Sequence, residues 1–334
     1  MNVGIVGAGR QGWRRAAAIR ESHLGHLTMV ADLNETATRS LAKEFSCKST
    51  TSWKNVVQSK DIDIVLICTP PNTHAPIAKS ALRNKKHVLC EKPLARTLKE
   101  AKDMQAAITP GIKFKCGFNY RFHPAVNQAK QWLTRGVIGD PYYIRCVHGI
   151  CGRPGYEKDW RANPAISGGG QLMDQGMHCL DLFRYFMGEF CEAFAYASTY
   201  YWKMRVEDNL FGILRTSRGK TASFHVSWTE WKNIFELQIV GERGYIRLDG
   251  LGGSYDSEQV SLGIRNFHKP FSDRTIHYTD RDRPWVNEWR NFIHAIEVDG
   301  NPSGSFEDGL RALIMTQSLY DSTRLKKTVA IKNT

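Results

Sequence analysis

Up to about residue 118, hydrophobic positions fall in short, nearly unbroken runs separated by longer stretches with helical spacing. Val3-Gly4-Ile5-Val6, Leu27 to Ala31, Ile62 to Cys68, His87 to Cys90 and Lys113 to Gly117 are such runs. Continuous apolar character is what a parallel strand buried on both faces requires. Between them, Trp13 to Glu21 and Asn34 to Phe45 read as helices. Alternation of this kind predicts an α/β domain of Rossmann type, a doubly wound parallel sheet.

Past Tyr120 the pattern changes. A helix is expected over Pro124 to Arg135, then an alternating strand from Tyr142 to Gly149 after Pro141. The Gly168-Gly169-Gly170 turn opens a helix running to about Met187. Ala193 to Tyr200, Asn209 to Arg215, Thr221 to Trp228, Phe235 to Val240 and Gly244 to Leu248 alternate as half-buried strands do. Ser217-Arg218-Gly219 and Gly241-Glu242-Arg243-Gly244 supply turns between them, so a large, open, mainly antiparallel sheet is expected. Two closing helices, Trp285 to Val298 and Phe306 to Arg324, are expected near the domain junction. The reading is a sheet domain over 1–120 and an α+β domain over 121–334, and 334 residues suit two domains of roughly 100–200.

Composition narrows the classes. With 42% hydrophobic and 24% charged residues the chain reads as soluble and globular. Its longest apolar run, Ile64 to Cys68, is far short of the roughly 18 residues of a membrane span. The first strand pattern starts at Asn2 with no leader ahead of it, and the eight cysteines form no Cys-x-x-Cys pair. Both points fit reduced thiols in the cytoplasm. The formal charge of +13 is spread along the chain without a basic arm or a finger spacing. It reads as solubility and attraction of an anionic cofactor or substrate, not as a nucleic-acid surface.

Gly7-Ala8-Gly9-Arg10-Gln11-Gly12 is a complete G-x-G-x-x-G between strand and helix. Its glycines allow a tight turn, close approach of a pyrophosphate and close helix–strand packing, with the helix N-terminus facing the anion. Asp32 ends the second strand, where a carboxylate accepts from ribose hydroxyls and repels a 2′-phosphate. NAD is expected over NADP, with Arg39 in the second helix as the one residue pointing the other way. Thr69-Pro70-Pro71-Asn72-Thr73-His74 follows the strand Ile64 to Cys68 and is expected to line the cofactor crevice. Asn72 and His74 read equally well as turn and helix caps.

Glu91-Lys92-Pro93 closes the strand His87 to Cys90, and Gly169-Gly170-x-x-x-Asp174-x-Gly176-x-His178-x-x-Asp181 follows in the second half. Alcohol oxidation needs a base for the hydroxyl proton and a donor at the developing alkoxide. Lys92 suits the donor and His178 the base. Asp174, four residues before His178, falls on the same helical face and can bind a neighbouring hydroxyl or steer the imidazole. Asp181 either orients the ring or solvates the helix. A metal reading of Asp174, His178 and Cys179 fails on spacing, since Cys179 points off that face.

With the fingerprint, the Glu-Lys-Pro and the Asp-x-Gly-x-His in this order, the chain resembles the glucose–fructose oxidoreductase / inositol dehydrogenase / rhizopine-catabolism (Gfo/Idh/MocA) family over nearly its whole length. The resemblance implies that Lys92, Asp174 and His178 are the catalytic set. It also implies that Gly7, Gly9, Arg10, Gln11, Gly12, Asp32, Thr69, Pro70, Asn72, His74, Glu91 and Lys92 hold NAD. Tyr120, Arg121, Trp160 and Arg161 then join Lys92, Asp174 and His178 around a sugar or polyol, with Arg153 and Tyr156 as weaker candidates. Arg121 reads equally as a structural ion pair, and Trp160 as core. The function implied is reversible oxidation of a ring hydroxyl of a sugar, cyclitol or sugar derivative, with a nucleotide-linked sugar favoured among anionic substrates. Relatives cover the open sheet by forming dimers or tetramers. Two alternatives stay open: an NAD-dependent glycosidase of the same fold that oxidises its sugar transiently, and a non-catalytic nucleotide or sugar sensor.

Overall fold

A computed structural model describes residues 1–270, 272–278 and 283–332. The first sheet contains β1 (Asn2–Val6), β2 (His26–Ala31), β3 (Lys48–Thr50), β4 (Ile64–Ile67), β5 (His87–Cys90) and β6 (Phe114–Cys116). Their order is β3-β2-β1-β4-β5-β6, and every pairing is parallel. Helices α1 (Arg10–Ser22), α2 (Glu35–Phe45), α3 (Trp53–Gln58), α4 (His74–Arg83) and α5 (Leu98–Gln105) make the crossovers. The strands are buried as the unbroken apolar runs require: Val3, Ile5, Val30, Ile64, Leu66 and Leu89 are all fully buried.

The second sheet follows α6 (Pro124–Thr134). Its strands are β7 (Pro141–Gly149), β8 (Glu192–Ser198), β9 (Asn209–Arg215), β10 (Thr221–Ser227), β11 (Ile234–Gly241), β12 (Gly244–Asp249), β13 (Glu258–Ile264), β14 (Asp273–Tyr278) and β15 (Val329–Ala330). They run β14-β13-β12-β11-β7-β10-β9-β8-β15, antiparallel throughout except for the parallel β7–β10 pair. Between β7 and β8 lie α7 (Pro164–Ser167), a π turn (Leu172–Gly176) and α8 (Met177–Met187). Period-two alternation turns Ala222, Phe224 and Val226 of β10 inward, and Phe183 of α8 meets Phe224 edge-on at 5.6 Å. The outer face keeps Tyr196, Phe211 and Ile213 exposed. Edge strand β14 was not legible in the pattern, because four of its six residues are exposed and show no apolar alternation.

The chain then continues through α9 (Pro284–Glu297) and α10 (Phe306–Leu325). Close packing groups it into two compact units, 1–119 with 283–313 and 120–282 with 314–334. A division at 120 alone, as the sequence pattern suggested, therefore differs from the fold: the chain returns to the first unit after the second sheet. Two forces account for the return. Trp289, Phe292 and Ile293 of α9 join one hydrophobic core with Val3, Ile5, Leu27, Leu66 and Leu89. Glu288 of the same helix then meets Arg15 of α1 at 2.5 Å, with both side chains out of solvent.

Arg15 is the centre of that contact. Its Nε donates to Glu91 Oε1 at 2.8 Å, its Nη1 to Glu288 Oε2, and its guanidinium lies 4.6 Å from the Trp285 ring centroid. Lys115 of β6 is also buried, donates to the Ser303 carbonyl and approaches Glu288 at 4.0 Å. Burial works against the charge of Arg15, but Glu288 and Glu91 outweigh it and raise its pKa. Removing the cation would leave two buried carboxylates facing each other. Arg15→Met is expected to cost about 3–5 kcal/mol, read as a lowered urea midpoint in the full chain. A midpoint within error of the parent would show that the network carries no such weight.

Candidate active site

The first unit supplies a cradle. In Gly7, at φ +107°, a Cβ would sit 2.7 Å from the Cys68 backbone, and at Gly12 it would lie 2.0 Å from the Gly7 carbonyl. At Gly9 a Cβ would meet nothing within 4 Å, so the open side of the turn is there. Helix α1 starts at this point with no side-chain cap and no acidic residue in its first turn. Its N-terminal N–H groups are thus suited to a pyrophosphate. Arg10 and Gln11 open that helix, Arg10 exposed and Gln11 half-buried. Asp32 is fixed at the end of β2, accepting from Ala8 N–H at 2.7 Å and from Asn34 N–H at 2.9 Å. Arg39, the residue that pointed toward a 2′-phosphate, pairs with Glu35 one turn back, at 2.5 Å on the exposed side of α2. The cradle fits NAD.

Along the same sheet edge, Thr69 and Pro70 follow the end of β4, and Thr73 Oγ1 donates to Thr69 Oγ1 at 2.6 Å. Asn72 sits half-buried in the 3₁₀ turn Pro71–Thr73. His74 does not face the crevice. It is fully buried, with Nδ1 2.8 Å from the Pro93 carbonyl and Nε2 2.8 Å from the Thr69 carbonyl. It ties the β4 loop to the Lys92–Pro93 peptide, which is cis. Burial lowers the pKa of His74. Glu91 also departs from its expected cofactor role, because its carboxylate turns inward to Arg15 at 2.6 Å. Lys92 is half-buried at the carboxyl end of β5, two strands from the glycine cradle.

The second unit holds the other candidates. Gly169 and Gly170 are required by close approach: a Cβ would lie 2.3 Å from Tyr320 Oη at the first and 2.0 Å from the Glu207 carbonyl at the second. Glu207 accepts from the N–H groups of Gly170 and Leu172, at 3.1 and 3.0 Å, and from Tyr320 Oη at 2.7 Å. Burial pushes the Glu207 carboxyl up. This anchor positions the π turn that carries Asp174, so the four-residue step to His178 crosses a widened turn, not a regular α-helix. Asp174 pairs with Arg161 at 3.3 Å, and Arg161 pairs in turn with Asp159 at 3.2 Å. The Arg161 guanidinium also lies 4.2 Å from the Trp160 ring centroid. Arg153, exposed, pairs with Asp159 as well, and Tyr156 is buried against Trp228.

Tyr120 and Arg121 divide their roles. Arg121 is buried and bidentate on Asp181, with Nε to Oδ2 at 2.8 Å and Nη2 to Oδ1 at 2.6 Å. The structural ion pair is what the fold uses, and it engages both carboxylate oxygens of Asp181. Tyr120 stacks on His178, ring centroids 3.8 Å apart and planes 5° from parallel. Its Oη is hydrogen-bonded to His148 Nε2 at 2.9 Å. Sequence reasoning missed His148, Glu207, Arg15 and Glu288. Each lies far along the chain from the motif it supports, and no local spacing marks it. Among the described residues, no group of three or more His, Cys, Asp or Glu is placed to hold a metal.

Comparison with known proteins decides the family. Residues 1–110 match the oxidoreductase family model with an NAD-binding Rossmann fold, and 126–247 match the GFO/IDH/MocA C-terminal domain. A 1,5-anhydro-D-fructose reductase from Ensifer adhaerens is 30% identical over 80% of this chain and 79% of its own. The chain belongs to the Gfo/Idh/MocA oxidoreductases. Levoglucosan dehydrogenase of Pseudarthrobacter phenanthrenivorans is 27% identical over 96% of each chain. A solved levoglucosan dehydrogenase complex with NADH and levoglucosan superposes at TM-score 0.92, 26% identical, covering 100% of both chains. The first unit of this Gfo/Idh/MocA protein is accordingly an NAD-binding Rossmann domain, and the enzyme is of the sugar and cyclitol dehydrogenase type. No helix among the described residues is long and apolar enough to cross a membrane.

Asp32→Ala is expected to weaken NAD binding about tenfold and to narrow the preference over NADP, as loss of a charge-assisted hydrogen bond implies. Calorimetric titration of both dinucleotides measures it. An unchanged NAD-to-NADP affinity ratio would remove Asp32 from cofactor selection.

Proposed function

We propose that the enzyme oxidises, reversibly, a ring secondary hydroxyl of a neutral sugar, anhydro sugar or cyclitol with NAD. Bound NAD supplies the hydride acceptor. Lys92 donates to the reacting oxygen and stabilises the developing alkoxide. His178 takes the hydroxyl proton, and Asp174, already turned by Arg161, accepts from a neighbouring hydroxyl. The observation that carries the reading is the position of Lys92, at the same sheet edge as the glycine cradle and the fixed Asp32.

Charge supports a neutral substrate over the nucleotide-linked sugar expected from net charge. Arg121 is closed on Asp181, and Arg161 and Arg153 are engaged by Asp174 and Asp159. The guanidinium groups that would have met a phosphate are balanced within the protein. The named substrates of the two relatives, levoglucosan and 1,5-anhydro-D-fructose, are neutral too.

The test follows absorbance at 340 nm with NAD against levoglucosan, other anhydro sugars, inositols, aldoses and nucleotide-sugars. Net NADH with a neutral ring polyol is expected, reduced about 10²–10⁴-fold in Lys92→Ala. Turnover restricted to nucleotide-sugars would overturn the substrate class. Tight NAD binding, no net NADH and release of aglycone from a glycoside would favour the transient-oxidation glycosidase.

The outer face of the second sheet forms a groove of about 600 Å³ lined by Phe194, Tyr196, Phe211, Ile213, His225 and Arg247. We propose that a second copy of the chain covers it, in a dimer or tetramer, since Tyr196 and Ile213 are 64% and 50% exposed. Light scattering is expected to show an oligomer that Ile213→Asp shifts toward monomer. A monomeric parent at micromolar concentration would refute this.

A further inference from the structure

When His178 takes a proton, a positive charge appears on a ring that is only 4% exposed. Burial disfavours an imidazolium, so a base in this position needs a partner that favours its charged form. The ring stacked on it is Tyr120, face to face at 3.8 Å and nearly parallel. An aromatic face carries negative electrostatic potential, and a desolvated cation against it is stabilised. A neutral imidazole gains less from the same contact, so the stack favours the protonated form.

Tyr120 is itself held in plane. Its Oη meets His148 Nε2 at 2.9 Å, and His148 is fully buried. The edges of Phe235 and His123 close on the Tyr120 ring at 5.8 and 5.6 Å, near perpendicular. His148 is fixed in turn by the edges of Phe235 and Tyr255, at 5.5 and 5.4 Å. The hydrogen bond and these edge contacts hold the phenol in the orientation that lies flat on His178.

We propose that Tyr120 and His148 are positioning residues for proton transfer: the Tyr120 face stabilises the His178 imidazolium, and His148 locks the plane of that face. This deepens the proposed function and rests on His178 being its proton acceptor. The step balances: the alcohol O–H bond breaks with its proton passing to the imidazole, and hydride leaves the carbinol carbon for NAD. Other titratable groups near the stack are Tyr255, Asp174 with Arg161, Asp181 with Arg121, His123 with Glu258, and the Cys146–Cys179 pair, 3.7 Å apart. Tyr120→Leu removes the His123 edge contact along with the stack, whereas Tyr120→Phe keeps both rings in place, so the Leu-against-Phe comparison, and not the Leu variant alone, reports the aromatic face.

The experiment is an NMR titration of ¹³C-histidine-labelled full-length protein, with His178 assigned through His178→Gln, run beside the pH profile of kcat/KM for oxidation. Loss of the aromatic face in Tyr120→Leu is expected to move the His178 titration down by about one pH unit. The base works only when neutral, so the acid limb of kcat/KM moves down with it, and the weaker base lowers the plateau about tenfold. Tyr120→Phe keeps the face and is expected to titrate within about 0.3 unit of the parent. His148→Gln, which can still bond Oη, is expected to behave as the parent, and His148→Leu as an intermediate. Should Tyr120→Leu fail to fold, Tyr120→Met makes the same comparison. A folded Leu or Met variant with unshifted His178, or a Phe variant shifted as far as they are, overturns the proposal. If the titration moves as expected while the parent oxidises no polyol, the stack stands and the assigned reaction falls.

Discussion

The buried Arg15 guanidinium is the contact on which the first unit depends. It joins three parts of the chain that no local pattern brings together: helix α1 beside the glycine cradle, the end of β5 through Glu91, and α9 through Glu288. Apolar burial of Trp289 and Phe292 would hold α9 on the sheet without it. Hydrophobic contact has no preferred direction, however, whereas a guanidinium with a carboxylate on two sides fixes angle as well as distance. Lys92 begins one residue after Glu91, so the direction in which its side chain starts is set by Arg15.

The same division of labour recurs in each motif. In Glu91-Lys92, the acid anchors on Arg15 and the lysine is the residue proposed for the chemistry. In Tyr120-Arg121, the arginine anchors on Asp181 while the tyrosine stacks on His178. Along α8, Asp181 takes the anchor and His178 is the residue proposed for the chemistry. In Asp159-Trp160-Arg161, Asp159 caps its own turn and turns Arg161 toward Asp174. A charged residue next to a reactive one is thus a poor guide to a second reactive residue. It is more often the means by which the first is aimed.

This explains how much could be read in advance. The parallel sheet was legible because buried strands must be apolar without interruption, and the glycine fingerprint because only glycine tolerates the contacts at positions 7 and 12. Lys92, Asp174 and His178 stood out by motif. Glu91 was assigned to the cofactor, and His74 and Arg121 were left between a ligand role and a structural one, because sequence shows residue type and spacing but not the far partner: Arg15, the Pro93 carbonyl and Asp181 respectively. The return of 283–313 to the first unit was hidden for the same reason. The apolar stripe of α9 says that it packs, not on what. Edge strand β14 and three-residue β3 carry too few inward residues to show a period.

Burying these charges is not explained by stability alone. Apolar groups of similar volume commonly replace a buried ion pair without loss, and sometimes with gain. The first unit nonetheless encloses Arg15 and Lys115 with Glu91 and Glu288, two cations against two anions, and the second encloses Arg121 with Asp181. Glu91 is the residue before Lys92, and Asp181 lies about one helical turn beyond His178. A wholly apolar replacement would keep the packing and free the strand end and the helix to settle wherever van der Waals contact was best. Displacements of about 1 Å at a reacting group cost on the order of a hundredfold in rate. The charges are therefore best understood as directional constraints: they hold Lys92 and His178 to geometries that packing by itself would leave unspecified.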